Sequence, residues 1–542
     1  MKRLFLFALT VVFLSVCQFA KAQDDGNNDD KKDPFKIKMA SAWLKFNDGD
    51  YYGALRVYRD LHRQNPKHAM LNYRMGKCFL EIREMDTALV LLENSIKLDS
   101  MVAPDVYFLM GKAYQYNTKL DEAIESYYNY KRTLNPKQNE THFVNVLLRQ
   151  CHTAKELMEK PVNVQIKNLE QVNSAYTDAC PSISADSKTL IFTSRNPSTT
   201  GGTIDYNVEE YYDDIYISKW DDDKKTWGTP VNIGEPINTD KHDANTSLSP
   251  DGNTIYIYKN NEETKSGDIY YSKLKDGKWS KPKPFEPENK MINSTYFESS
   301  ACVTADGGTM FFVSEREKGG FGHGDIYMVK RLEDGSWGKP ENLGYPINTE
   351  YDEIGVYIHP DGKTLFFSSD GHNTMGEHDI FMTYWDGSKW SVPQNMGYPI
   401  NTTKEEIHFV FNTNRDKAYV SSTREGGKGK YDIYEVEFND NKIADTDISA
   451  PPMAILRGTV VDAVTSEPIK TSIEITDQTN NKTKIITSDE NGNYFVTLPA
   501  DIKYEVTVRQ KGYKPLIVKF KLPKGENDTP TLIKHLLLDK EK

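Results

Sequence analysis

Residues 346–371 read "PINTEYDEIGVYIHPDGKTLFFSSDG": Asn348, then Glu353 five positions on, then an Asp-Gly turn between two apolar runs. The phrase recurs. Asn173/Asp178, Asn238/Asp243, Asn293/Glu298, Asn348/Glu353 and Asn401/Glu406 all keep the interval of five. The turns that follow are "ADSKTLIFTS", "PDGNTIYIYK", "ADGGTMFFVS", "PDGKTLFFSS" and "TNRDKAYVSS". Each unit then reaches an Asp-Ile-aromatic triplet, and Asp214, Asp268, Asp325, Asp379 and Asp432 lie 54, 57, 54 and 53 residues apart. A unit of that length, with short alternating strands and Gly or Asp turns, is a propeller blade. Five copies predict five blades over residues 161–441, with six as the alternative count. Stretches such as "SWGKPENLGYPIN" supply a fourth strand and the crossing to the next unit. The fifth unit has none after Tyr434, whereas "VNVQIKNLEQVN" precedes the first. Val162 to Leu169 is therefore expected to close the ring and remove its exposed edges.

The rest of the 542 residues is organised differently. Met1-Lys2-Arg3, an apolar run to Val16, and Ala20-Lys21-Ala22 form an export signal over residues 1–22. Cys17 lies within it and would anchor the chain to a membrane if acylated; the alternative is a plain cysteine in an apolar segment. Cleavage removes Lys2, Arg3 and Lys21 and moves the formal charge from −12 to −15. So acidic a chain is a poor match for nucleic acid, whose phosphates need clustered Lys and Arg. Cys78, Cys151, Cys180 and Cys302 are widely spaced, without metal or disulfide patterning, and read as buried small hydrophobes.

Residues 23–34 are an acidic tether, and helical periodicity follows over 35–160. Ala54, Ala88 and Ala123 are spaced 34 and 35 apart, with Gly76 and Gly111, Phe79 and Tyr114, and Pro66 and Pro136 in step. A small residue recurs where paired helices touch, and a Pro where the second ends. "YRMGKCFLEIREMDTAL" and "FLMGKAYQYNTKLDEAI" resemble tetratricopeptide repeats, which implies an α-solenoid with a peptide-docking groove; the other reading is a spacer. The propeller phrase, "HPDGKTLFFSSDG" with "HDIF", resembles the TolB-type, WD40-like (PD40) repeat. Its fifth copy departs, with Asn414-Arg415-Asp416 in place of Asp-Gly. After a polar linker at 442–452, residues 453–542 alternate as a seven-strand sandwich. Gly458-Thr459-Val460, Asp462, Pro468, Asp489, Gly492, Tyr494 and Gly512-Tyr513 resemble the carboxypeptidase regulatory-like domain, which implies an interaction module and no peptidase.

The chemistry-bearing candidates are few. Asp178, Asp243, Glu298, Glu353 and Glu406 would stand one per blade near one channel mouth, where mutual repulsion invites a cation such as calcium or a basic group. The competing reading has each accept hydrogen bonds from its own turn, or pair with Arg195, Arg316 or Arg424. The Asp-Ile-aromatic aspartates read as turn acceptors. The Gly-rich stretch "GGFGHGD" around His323 reads as a blade loop, and His242, His359 and His378 lie in different blade loops without ligand spacing and read as surface groups. No catalytic motif stands out, so no enzyme and no cofactor is expected.

The order of helical repeats, propeller and regulatory-like sandwich resembles the PorE-like family of type IX secretion envelope proteins of Bacteroidota. In that family an OmpA-like peptidoglycan-binding domain follows, and it is not written in these residues. The resemblance implies an exported, non-enzymatic scaffold in the periplasm or at the outer membrane, with an envelope protein as partner. The alternative is a glycan or small-ligand binder using the propeller mouth.

Overall fold

The computed structural model describes residues 34–134, 140–206, 208–261, 266–285, 291–332, 334–440, 442–443, 446–447, 452–525 and 529–541. The export signal, Cys17, most of the tether, Pro136 and most of the linker lie outside them.

Among the described residues seven helices come first: α1 (Pro34–Asn47), α2 (Tyr51–Gln64), α3 (Ala69–Glu81), α4 (Met85–Leu98), α5 (Val106–Tyr116), α6 (Leu120–Thr133) and α7 (Glu140–Glu159). They pack as antiparallel neighbours in chain order, α1 on α2, α3 on α4, α5 on α6, with α7 closing the stack. The repeated small residues explain the pairing. A Cβ at Gly76 would lie 2.9 Å from Leu92 of the partner helix, and one at Gly111 only 2.5 Å from Tyr127. Ala54, Ala88 and Ala123 are fully buried. These are tetratricopeptide-like repeats.

A large all-β region follows. Five antiparallel sheets, of four or five strands each, are laid down in sequence. Their first strands are Asp178–Ile183, Asp243–Leu248, Glu298–Val303, Glu353–Ile358 and Glu406–Phe411. These adjoin one another in order, and the last adjoins the first. Val164–Asn168 pairs antiparallel with Asp432–Phe438, the third strand of the fifth sheet. The second strand of the fourth sheet, Thr364–Ser369, is buried along its whole length, because that sheet is covered on both faces by its neighbours. Every junction holds its own apolar core. Between the third and fourth sheets, Phe311 and Ile326 meet Leu365 and Phe381; between the fifth and first, Tyr419 and Ile433 meet Leu190 and Phe192.

The tail packs two four-stranded sheets over one core, with Met453–Asp462 central in one and Ser472–Asp477 in the other. It has eight strands where the pattern predicts seven. The final edge is broken into Thr531–Ile533 and Leu536–Leu538, both parallel to Met453–Asp462. Lys534 sits at the break, its carbonyl taking the Tyr494 hydroxyl while its N–H donates to Arg457. No described helix is long and apolar enough to cross a membrane.

Candidate functional site

The repeated Asn is a staple between sheets. Asn348 Oδ1 accepts the Ile326 N–H at 2.9 Å, while Nδ2 donates to the Ile326 carbonyl at 2.9 Å and to Asn342 Oδ1 at 2.7 Å. Ile326 belongs to the Asp-Ile-Tyr triplet of the preceding sheet, so each phrase holds the unit before it. Asn238 holds Ile215, Asn293 holds Ile269 and Asn401 holds Ile380 by the same two backbone contacts. Asn173 holds Ile433 of the fifth sheet, which ties the first phrase to the last. The triplet aspartates Asp214, Asp325, Asp379 and Asp432 accept loop N–H groups and an Asn of the adjoining outer strand: Asp379 takes Met375, Gly376 and Asn395.

The five carboxylates lie at the start of the five first strands, all buried. Each accepts the backbone N–H four residues upstream: Ser174 to Asp178, Thr239 to Asp243, Ser294 to Glu298, Thr349 to Glu353 and Thr402 to Glu406, at 2.5–2.9 Å. Serines at the ends of second strands, Ser314, Ser369 and Ser422, add a hydroxyl each. Arg316 and Arg424 reach Glu298 and Glu406 at 3.3 Å. Arg195 does not pair with Asp178; it bonds Asp213 in a fork, at 2.7 and 3.0 Å. Lys259 neutralises Asp243 instead. Burial pushes the Asp178 carboxyl up to about 6 and that of Glu353 up to about 7, against the hydrogen bonds they accept. Their bonding groups come from their own turns and from the strand and loop that follow in the same sheet. Among the described residues no three His, Cys, Asp or Glu side chains form a group able to hold a metal.

On this same face the helical array meets the ring. The loops between α3 and α4 and between α5 and α6 turn on Arg83 and Thr118, both left-handed at φ 64° and 59°. In each, the next N–H bonds back to a carbonyl five residues upstream, Glu84 to Phe79 and Lys119 to Tyr114, a helix-ending geometry that projects the loop outward. Arg83 bonds Glu377 at 2.8 Å and Glu405, and lies 5.5 Å over the Tyr431 ring. Glu405 also holds His378 Nδ1 at 2.9 Å and the Tyr431 hydroxyl. Burial pushes the Glu405 carboxyl up, but His378 and Arg83 outweigh it and hold it well below the usual range. Thr118 meets Thr403, Tyr116 bonds Thr423, and Gln150 bonds Thr374. Met375, from the loop of the fourth sheet, is wholly buried in the core of α6 and α7 among Leu120, Tyr127, Leu147 and Cys151, with Tyr398 packed beside it.

At the opposite end, where the first strands finish, a crevice is lined by all five sheets, including Ile183, Ser247, Cys302, Tyr357 and Phe411. Its volume open to the centre of a water is 10 Å³, roughly what one water needs. The tail sits at its rim. Thr497 donates to the carbonyl of Pro360, a lining residue, at 2.6 Å, and Lys484 pairs with Asp306 at 3.0 Å.

Several histidines depart from the expected surface role. His359 is fully buried, its Nε2 3.2 Å from the Asn412 carbonyl. His378 belongs to the array contact, and His242 lies 2.7 Å from Asp213 and stacks on Tyr212. Arg415, in the divergent fifth turn, occupies the left-handed place that Gly362 fills in the fourth (φ 58° and 70°) and reaches Asp361 and Thr364 across the junction. The missing Asp-Gly was the one signal for it. Of the four cysteines among the described residues, Cys78, Cys151 and Cys302 are buried and Cys180 half-buried, all as free thiols.

No curated protein matches the chain in sequence. Among solved structures, the Yersinia enterocolitica type III secretion translocator chaperone SycD is similar, at 17% identity over 24% of this chain and 97% of that one, with a TM-score of 0.22. The first TPR of Spaghetti (RPAP3), bound to an HSP90 peptide, is 18% identical over 22% and 93%, with a TM-score of 0.21. A 3-chlorocatechol 1,2-dioxygenase of Rhodococcus opacus 1CP is 14% identical over 18% and 63%, with a TM-score of 0.15. Nothing about partners or chemistry follows from likenesses at that level. Residues 455–533 match the carboxypeptidase regulatory-like domain family, and the tail sandwich is a domain of that kind.

Proposed function

We propose that the five sheets form a five-bladed TolB-type propeller and that the chain is a non-enzymatic, exported scaffold of the cell envelope. In this reading it belongs with the PorE-like components of type IX secretion, in the periplasm or against the outer membrane, and holds an envelope protein. One observation carries the reading: the repeat array and the propeller share a core at Met375, while the tail is tied to the opposite end by Thr497 and Lys484. Three modules of interaction type are thus held in fixed relation, the arrangement of a scaffold. A glycan or small ligand in the mouth is less well supported. The far crevice has room for about one water, and the near mouth already takes Arg83.

The test is copurification of the tagged full chain from cross-linked envelopes of its native host, with fractionation of the cell. A stoichiometric envelope protein in the outer-membrane fraction is expected. Recovery of the chain alone, or residence in the cytoplasm, would refute the proposal.

A further inference from the structure

The contact between array and ring has an unused copy. Met375 and Tyr398 anchor α6 and α7 on the fourth unit. One unit earlier the corresponding residues are Phe321, in the loop before Asp325, and Tyr345, in the same Gly-Tyr-Pro-Ile-Asn crossing. The backbone bonding of the two loops is matched. Phe321 and Gly322 donate to Asp325 at 2.6 and 3.2 Å, as Met375 and Gly376 donate to Asp379 at 2.7 and 3.2 Å. A Cβ at Gly322 would strike the Tyr351 and Thr349 carbonyls, as one at Gly376 would strike those of Lys404 and Thr402. His323 N–H bonds Tyr351 just as Glu377 N–H bonds Lys404.

What differs is the cover. Met375 is 0% exposed, whereas Phe321 is 57% and Tyr345 83% exposed. Phe321 lies over Gly344, the residue before Tyr345, where a Cβ would be 3.8 Å from its ring, so the two exposed aromatics come from adjoining loops. A large exposed apolar pair on a rigid frame marks an interaction site.

We propose that Phe321 and Tyr345 are a second docking point of the ring, made to insert into the socket of an α-helical pair on a partner protein whose rim is basic. The occupant follows from the copy already filled: the same two positions, one unit on, hold an α-helical pair. The basic rim follows from charge. Asp352 stands where Glu405 stands in the filled copy, with Glu315 beside it, and Glu405 is one of the two carboxylates that take Arg83, the other, Glu377, having His323 as its counterpart here. A second copy of this chain is a poor occupant, because its own α6–α7 socket already contains Met375. The patch also continues the array contact on the same face, so partner helices would extend that layer around the ring.

This inference rests on the scaffold reading and names the partner class for one face. The experiment places a photo-cross-linking phenylalanine analogue in the full chain at Phe321, with Val464 on the tail as background and Lys77 of α3, which lies over the Trp43 and Phe46 rings of α1, as a separate probe of the helical array, in the native host. The cross-linked peptide is mapped by mass spectrometry. The expected result is a Phe321 adduct in a helical pair of another protein, with Lys or Arg flanking the adduct. The purified partner should then bind about tenfold more weakly when Tyr345→Asp removes one aromatic anchor. Adducts only with a second copy of this chain, only with lipid, or at the Val464 level overturn it. A partner captured at Lys77 but not at Phe321 overturns this inference and leaves the scaffold; silence at both positions removes both.

Discussion

Replacing Asn348 by Ala tests the stapled ring most directly. Asn348 is buried, and its side chain satisfies the Ile326 N–H, the Ile326 carbonyl and Asn342 Oδ1. With the amide gone, three groups lose a partner at a junction filled by Phe367, Ile326 and Val356. At about 1–3 kcal/mol for each buried polar group left unpaired, and with water relieving part of the loss, the cost is about 3–6 kcal/mol. Asn173→Ala should cost the same, because Asn173 makes the equivalent bonds to Ile433 across the closing junction. Urea unfolding of the full chain reads both variants through Trp227, which is buried at that closing junction and donates to Tyr419 at 3.2 Å. Hydrogen exchange at Ile326 and Ile433 then locates the damage. A loss under about 1 kcal/mol at Asn348 would mean that the net value of these bonds is no more than one ordinary hydrogen bond. An Asn173→Ala variant much milder than Asn348→Ala would sink the closed ring, since an open end has little to lose.

Met375→Ala should destabilise by about 2–5 kcal/mol, the range for a truncated core methionine, and calorimetry should show array and ring separating into two transitions. Glu405 has its carboxyl held below the ordinary value, so its contribution is present above about pH 4.3 and fades as pH falls further; Glu405→Gln should flatten that part of the stability profile between about pH 5 and 2, followed by circular dichroism. Thr497→Val keeps the side-chain shape and removes the bond to Pro360; small-angle scattering should show the tail swinging more widely, with the Tm of the ring unchanged.

Much of the architecture was legible in the sequence because each signal is local and repeated. The Ala and Gly spacing of the helices, the interval from Asn to carboxylate and the Asp-Gly turns each recur at a fixed period. The role of the Asn was not legible: its partner, Ile326 for Asn348, lies 22 residues back, and nothing local marks the pair. Arg195 was misassigned for a related reason, since Asp213 offers a fork of two bonds to its guanidinium. Arg83 and Met375 escaped notice, and His378 was read as a surface group, because they are single residues in loops of two different modules. The eighth tail strand was hidden by Lys534 and His535, which interrupt an edge that alternation alone reads as one.

The pairing of Val164–Asn168 with Asp432–Phe438 also sets an order of events during synthesis. Asn173 waits for Ile433, 260 residues downstream, and neither can be satisfied until the fifth sheet has left the ribosome. Contacts of such sequence separation form late and slowly. Until then the first sheet has no neighbour on one side, and Leu190 and Phe192, which end in the closing core, stay open to whatever chain is nearest. A truncation after the fourth sheet would therefore leave the nascent chain as an aggregation-prone intermediate rather than a smaller ring.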